Sequence, residues 1–151
     1  MRQHVVQTKI GPLYLTASEQ GLRGVYWREQ AVALGRSRVL TEAARQIQEY
    51  LGGNRREFDL ELDPVGTEFQ MRVWNELKKI PYGQTRSYSQ MAKSLGMIGA
   101  SRAVGTANGK NPLCLIVPCH RVIAADGSLG GFSGGLAIKR RLLEIEGISP
   151  A

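Results

Sequence analysis

The sequence predicts an α+β chain in which strands gather in the first part and helices dominate the second. Three observations carry this. Short β-rich and alternating apolar runs fall before residue 63. Two Ser/Thr-x-x-Gln capping signals, Thr67 to Gln70 and Ser87 to Gln90, open apolar helical stripes after it. Asp63, Pro64 and Gly66 punctuate the chain between the two parts. The expected domains are therefore 1–65 and 66–151, within a chain of 151 residues that has room for two small domains.

The first part reads as hairpin, helix, strand. "GPLYLTASEQGLRGVYW" holds two β-rich runs, residues 13–16 and 22–27, around a Gly-containing turn. In "TEAARQIQEYLGG" Thr41 is the expected cap, Ala44, Ile47 and Leu51 share a face, and Gly52 and Gly53 end the helix. "EFDLEL" alternates Phe58, Leu60 and Leu62 with acidic residues, the pattern of a half-buried strand.

The second part is mainly helical. Phe69, Val73, Leu77 and Ile80 follow the first capping box, and Tyr88, Met91, Ala92 and Leu95 follow the second, with Gly96 as its stop. A short helix is expected over about residues 100–108, so that two short helices flank a Gly-containing turn in helix-turn-helix fashion. The later helix is rich in small residues, which allow either close packing or close approach to a nucleic-acid groove. Arg102 stands among them, as a solvated side chain or as a long reaching one. "NPLCLIVP" reads as an extended apolar run, and "DGSLGGFSGG" as a Gly-rich loop. A last helix shows Ile138, Leu142 and Ile145 on one face, with Gly147 as its stop.

Charge narrows the partners. The net charge is +7, and it is uneven: residues 1–62 hold 9 basic and 7 acidic residues, whereas residues 63–151 hold 11 and 6. A basic second part points to a polyanion such as nucleic acid. No apolar stretch approaches the roughly 20 residues of a membrane span. The N-terminal segment lacks a signal-peptide pattern, and two cysteines five positions apart make no disulfide framework. A reduced, cytoplasmic protein is the expectation.

The chemistry centres on "PCHRVI". A thiolate is a strong nucleophile whose population depends on its surroundings. Cys119 is followed by His120, and the chain is expected to turn after Pro118. Two readings stay open on these residues: a nucleophile with its base, or a buried structural cysteine beside a surface histidine. Glu146 adds weight to the first. It lies four positions after Leu142 and so borders the buried stripe, in a last helical turn where the dipole disfavours negative charge. A carboxylate there is tolerable with a partner, and a histidine acting as base needs an orienting acceptor. Glu144 is the water-facing control. A zinc site from Cys114, Cys119 and His120 is disfavoured, because the spacing matches no closed zinc pattern and an alternating strand would separate the cysteines.

These residues resemble a known family. "SRAVGTANGKNP", "PCHRVI" and "GGFSGGLAIKRRLLEIEG", in this order, look like the O6-alkylguanine-DNA alkyltransferases. The likeness covers roughly residues 66–147; before that it rests on size and the strand and helix pattern. It implies an α+β protein with an N-terminal ribonuclease-H-like α/β domain and a C-terminal, mainly helical winged helix-turn-helix domain. It implies direct DNA repair: irreversible, stoichiometric transfer of an alkyl group from O6-alkylguanine in duplex DNA after base flipping, with O4-alkylthymine as a further candidate substrate. Cys119 falls on the alkyl acceptor, with His120 (through a water) and Glu146 as its proton-withdrawing chain. Asn111 braces the active-site turn. Tyr88 helps turn the nucleotide out and donates to the base. Arg102 fills the vacated stack, with Tyr88, Ser89, Ala100 and Ser101 on the DNA-binding side. Val122, Phe132 and Ser133 belong to the substrate pocket; Phe132 stands where some members have Tyr. The resemblance implies minor-groove binding, a monomer able to line up along DNA, and no cofactor, metal or membrane. An N-terminal zinc site found in some members is unsupported, since residues 1–65 have no cysteine. The competing readings are a sequence-specific DNA-binding regulator with an unreactive cysteine, and a cysteine hydrolase, for which no oxyanion-hole motif is evident.

Overall fold

A computed structural model describes residues 1–149. The chain forms two compact units: Met1–Val65 with Pro112–Ile116, and Gly66–Asn111 with the chain from Val117 on.

The first unit is built on an antiparallel sheet of β1 (Arg2–Thr8), β2 (Gly11–Ala17) and β3 (Leu22–Tyr26), in that order. The two runs read from sequence are β2 and β3. β1 was not expected, because its inward positions do not alternate as apolar residues. One of them is Gln3, buried with its amide bonded to the backbone of Gln30 and Val32. The β1–β2 turn closes at Gly11 with φ of 103°, a backbone conformation that favours glycine.

Helix α1 (Arg38–Leu51) contacts all three strands. Its cap is Ser37, whose hydroxyl accepts from the Leu40 N–H, and not Thr41, which lies one turn inside. Leu40, Ala43, Ile47, Tyr50 and Leu51 line the buried face, so Ile47 and Leu51 are buried as expected while Ala44 is only half-buried at its edge. "EFDLEL" is also corrected. It makes a single bridge, Leu62 to Leu22, rather than a strand. Its alternation survives in burial, but the Gln46 side chain takes the place of a strand partner, exchanging two bonds with the Asp59 backbone at 2.9 and 3.0 Å.

The second unit holds α2 (Glu68–Leu77), β4 (Arg86–Ser87), α3 (Tyr88–Ser94), α4 (Ser101–Gly109), β5 (Val122–Ile123) and α5 (Leu136–Ile145). Both capping boxes form: Thr67 and Gln70 exchange bonds at the start of α2, Ser87 and Gln90 at the start of α3. Gly96 ends α3 at φ of 72°. Helices α3 and α4 contact each other across the short turn, and α2 packs on both. β4 and β5 form a two-residue parallel pair that sets the chain leaving Cys119 beside the start of α3.

"NPLCLIVP" is not an extended run. Val25 accepts Leu113 as a bridge partner, and the chain then turns through a left-handed Leu115, φ of 75°, before Val117. That geometry is costly for a branched residue and is held by full burial of the leucine.

Candidate active site

Cys119 opens a single 3-10 turn, Cys119–Arg121, that follows Pro118. Asn111 donates to the Val117 carbonyl at 2.8 Å, and Asn108 to the Cys119 carbonyl at 3.4 Å, so two buried amides hold the turn from below. Neither cysteine is in a disulfide. The thiol-bearing residue is only 3% exposed, yet it lines a cleft of about 480 Å³. The other walls are Tyr88 from α3, Arg102, Gly105 and Asn108 from α4, and Phe132 and Ser133 from the Gly-rich loop.

Behind the thiol lies a fully buried charge cluster. His120 Nε2 is 2.7 Å from Glu146 Oε2. Arg121 donates to both carboxylate oxygens, at 2.9 and 3.1 Å, and its third nitrogen donates to the Ile80 carbonyl at 2.7 Å. The Gly83 N–H completes the shell of Glu146 at 2.9 Å. Burial alone would raise the Glu146 pKa, but the bonds from His120 and Arg121 outweigh it and hold the carboxyl at about 2. Burial pushes His120 below its ordinary value despite the carboxylate beside it. The pair is therefore a neutral imidazole on an ionised carboxylate. With Nε2–H given to Glu146, the other ring nitrogen has the electronic character of a base. Glu144, the control, is exposed.

Tyr88 contributes a phenol held protonated: burial raises its pKa, and the nearby Cys119 charge pushes the same way. Gly130, φ of 72°, passes so close that an added Cβ would lie 3.0 Å from the phenol oxygen. Arg102 is exposed in the first turn of α4. Together with Thr106 it lines both the thiol cleft and a second cleft of about 640 Å³, so it stands on the ridge between them. The small residues of α4 divide by face. Ala107 is buried, its carbonyl accepting from the Trp74 indole at 2.9 Å, while Ala103, Thr106 and Gly109 are exposed.

The structure thus brings Cys119, Tyr88, Arg102, Phe132 and Ser133 around one cleft, with His120, Glu146 and Asn111 behind it. Ser89, Ala100, Ser101 and Val122 are not in its lining. Ser89 is exposed on α3, Ala100 and Ser101 sit at the start of α4, with Ala100 on the second cleft, and Val122 is buried. Sequence reasoning missed Asn108, Arg121 and Lys139. Lys139 was findable: it lies three positions before Leu142, on the same stripe that singled out Glu146. Arg121 carries no such signal. Among the described residues no group of three or more His, Cys, Asp and Glu could hold a metal, and no helix is long and apolar enough to cross a membrane.

Comparison with known proteins agrees across the whole chain. Residues 68–148 match the family described as 6-O-methylguanine DNA methyltransferase, DNA binding domain, and residues 1–64 match its ribonuclease-like domain. The methylated-DNA–protein-cysteine methyltransferase of Methanosarcina acetivorans is 47% identical over 150 residues, covering 95% of this chain and 96% of that protein. The crystal structure of Mycobacterium tuberculosis OGT in complex with DNA superposes with a TM-score of 0.91 at 44% identity, covering 100% of this chain and 96% of that one. A shorter S. pombe protein, solved with damaged DNA containing O6-carboxymethylguanine, is 32% identical over 56% of this chain, with a TM-score of 0.50.

Proposed function

We propose that Cys119 is the alkyl acceptor in this chain, which belongs to the 6-O-methylguanine DNA methyltransferase family and repairs DNA by alkyl transfer to a cysteine. The observation that carries the assignment is a cysteine on the wall of a cleft of about 480 Å³, with a neutral histidine on an ionised glutamate directly behind it. That volume lies in the range of small-molecule sites, ~300–1,000 Å³.

The target carbon is bonded to a guanine oxygen inside the base stack, where no side chain reaches it, so the nucleotide is turned out of the duplex. Arg102, exposed on the ridge of α4, fills the vacated stack and offsets part of the unstacking cost. Ser89, Ala100 and Ser101 lie along the DNA with it, in the minor groove, and the lysines and arginines of this basic half supply sequence-independent affinity. The flipped base rests between Tyr88 and the loop carrying Phe132 and Ser133, with Val122 supporting the pocket from beneath. The O6-alkyl group points at Cys119.

Sulfur attacks the alkyl carbon in line and the carbon–oxygen bond breaks. His120 accepts the thiol proton, through a water, and Glu146 steadies the imidazolium that results. Tyr88 donates a hydrogen bond to the departing base. Overall the thiol proton is exchanged for the alkyl group, and guanine is restored. The thioether offers no carbonyl for water to attack, so each chain reacts once. The protein acts as a cytoplasmic monomer on double-stranded DNA, copies being able to line up along it, without cofactor. Titration with methyl-labelled duplex should plateau near one label per chain, all on Cys119 by peptide mass. Continued turnover, or label elsewhere, overturns the assignment.

A further inference from the structure

Asn108 stands in the last turn of α4 and lines the thiol cleft, yet it is only 5% exposed. Its Nδ2 donates to the Cys119 carbonyl at 3.4 Å. That contact fixes which end of the amide is which, since an oxygen there would face another oxygen. Its Oδ1 is buried and has no hydrogen-bond partner among the described residues. Leaving a buried amide oxygen unpaired is costly. Elsewhere the chain avoids that cost: Gln3 and Gln46 each use both ends of their amides. An acceptor left open beside the reacting cysteine calls for a donor that arrives later.

The flipped base brings one such donor. An O6-alkylated guanine carries no proton on its ring nitrogens, so its 2-amino group is the only hydrogen-bond donor on the base. The cleft offers that group few acceptors. Arg102 only donates, and the hydroxyls of Tyr88, Thr106 and Ser133 both donate and accept. The Thr106 hydroxyl already donates to the Arg102 carbonyl at 3.1 Å. Asn108 Oδ1 is, among the described residues, the one side-chain oxygen of the lining that accepts and cannot donate. It is also stripped of water in advance, which strengthens the bond that it later makes. The terminal torsion of an asparagine is broad, and the bond holding this amide is long, so the oxygen swings toward an arriving donor at low cost.

We propose that Asn108 is a specificity-determining residue whose Oδ1 accepts a hydrogen bond from the 2-amino group of the flipped guanine. The proposal rests on Cys119 being the acceptor of the alkyl group and on the base seating in this cleft. It separates the two candidate lesions. O6-methylguanine keeps its amino group, whereas O4-methylthymine has no N–H and leaves the oxygen unpaired. A site built to bond an N–H rejects the base that lacks it.

The test is a double cycle on substrate and protein. Single-turnover transfer to Cys119 is timed on duplexes carrying O6-methylguanine or O6-methylhypoxanthine, which differ only in the 2-amino group. The native protein should react about tenfold or more slowly with the base that lacks it. Asn108→Leu, of similar shape, should slow transfer from O6-methylguanine, and deleting the amino group should then cost it no more than about twofold. Removing the amino group also changes how readily the base leaves the duplex, but that change is common to both proteins and cancels in the comparison. An amino-group effect of equal size in both proteins overturns the proposal and leaves Asn108 as a brace of the Cys119 turn. A third duplex, carrying O4-methylthymine, extends the cycle. The native preference for guanine over thymine should shrink by about tenfold in Asn108→Leu, and an unchanged preference counts against the role. Should the variant not fold, the native protein still decides, because equal rates with and without the amino group overturn the proposal. Absence of transfer to Cys119 from every duplex would instead count against the assignment of the acceptor, so the two failures are distinguishable.

Discussion

The two units bury polar groups in opposite ways. In the first, Gln3 and Gln46 are at most 2% exposed, and each bonds to backbone that has no strand partner of its own. Neutral amides finish a small sheet there at modest cost. In the second, the buried polar groups include His120, Arg121, Lys139 and Glu146, all of them ionisable. Charges are expensive to bury, and replacing such clusters by apolar residues often stabilises a protein. A unit that keeps four of them beside one cysteine is arranged for chemistry. The first unit shows what folding alone asks of buried polar groups; the excess in the second measures what the reaction asks.

That contrast can be broken by substitution. The largest expected effect is Cys119→Ala, which should abolish label transfer while gel-shift affinity for duplex DNA persists. If binding is lost as well, the thiol is part of the scaffold and the contrast is misdrawn. Next comes Glu146→Gln. It leaves Arg121 and His120 facing a neutral amide in a buried site, at a cost of ~3–5 kcal/mol in urea unfolding. Gln46→Ala should cost only ~1–3 kcal/mol, the penalty of leaving a buried backbone group unpaired, and the folded variant should transfer at the wild-type rate. Equal losses from the two would erase the distinction between the units.

Acid sharpens the same point. Both His120 and Glu146 have folded pKa values below their unfolded ones, so the unfolded chain binds more protons as pH falls. Their contribution is complete above the ordinary histidine value of 6.5 and starts to be lost below it. Glu146 adds a second loss between 4.5 and about 2. Thermal unfolding followed against pH should show stability declining on acidification, by on the order of 3 kcal/mol or more once Glu146 is protonated; a gain would refute the neutral-imidazole assignment. Arg102→Ala should slow repair in duplex by about tenfold more than reaction with the isolated alkylguanine base, about 1.4 kcal/mol. Equal slowing on both substrates would remove its role in the stack. Glu144→Gln, one turn from nothing buried, should change stability by less than ~0.5 kcal/mol.

Much of this architecture was written locally in the chain. Both capping boxes, the α2 and α3 stripes, the turn after Pro118 and the stop at Gly147 depend on neighbours within four residues, and each formed as read. The Cys119, His120 and Glu146 set was also legible, because a carboxylate bordering a buried stripe at the wrong end of a helix asks for a partner. What the linear order could not supply was partnership at a distance. β1 is a strand because it pairs along its whole length with β2, the 30–32 backbone satisfying its buried Gln3; "EFDLEL" makes only one bridge, and the Gln46 side chain satisfies its Asp59 backbone instead. The extended reading of "NPLCLIVP" failed at Leu115, whose left-handed turn no local preference would choose and only burial holds. Arg121 became visible only when Ile80 and Glu146 were folded around it. Short-range sterics and hydrogen bonding decide helices and caps, so residue order alone determined those. The energy of a buried charge depends on every group around it, and only the tertiary structure brings those groups together.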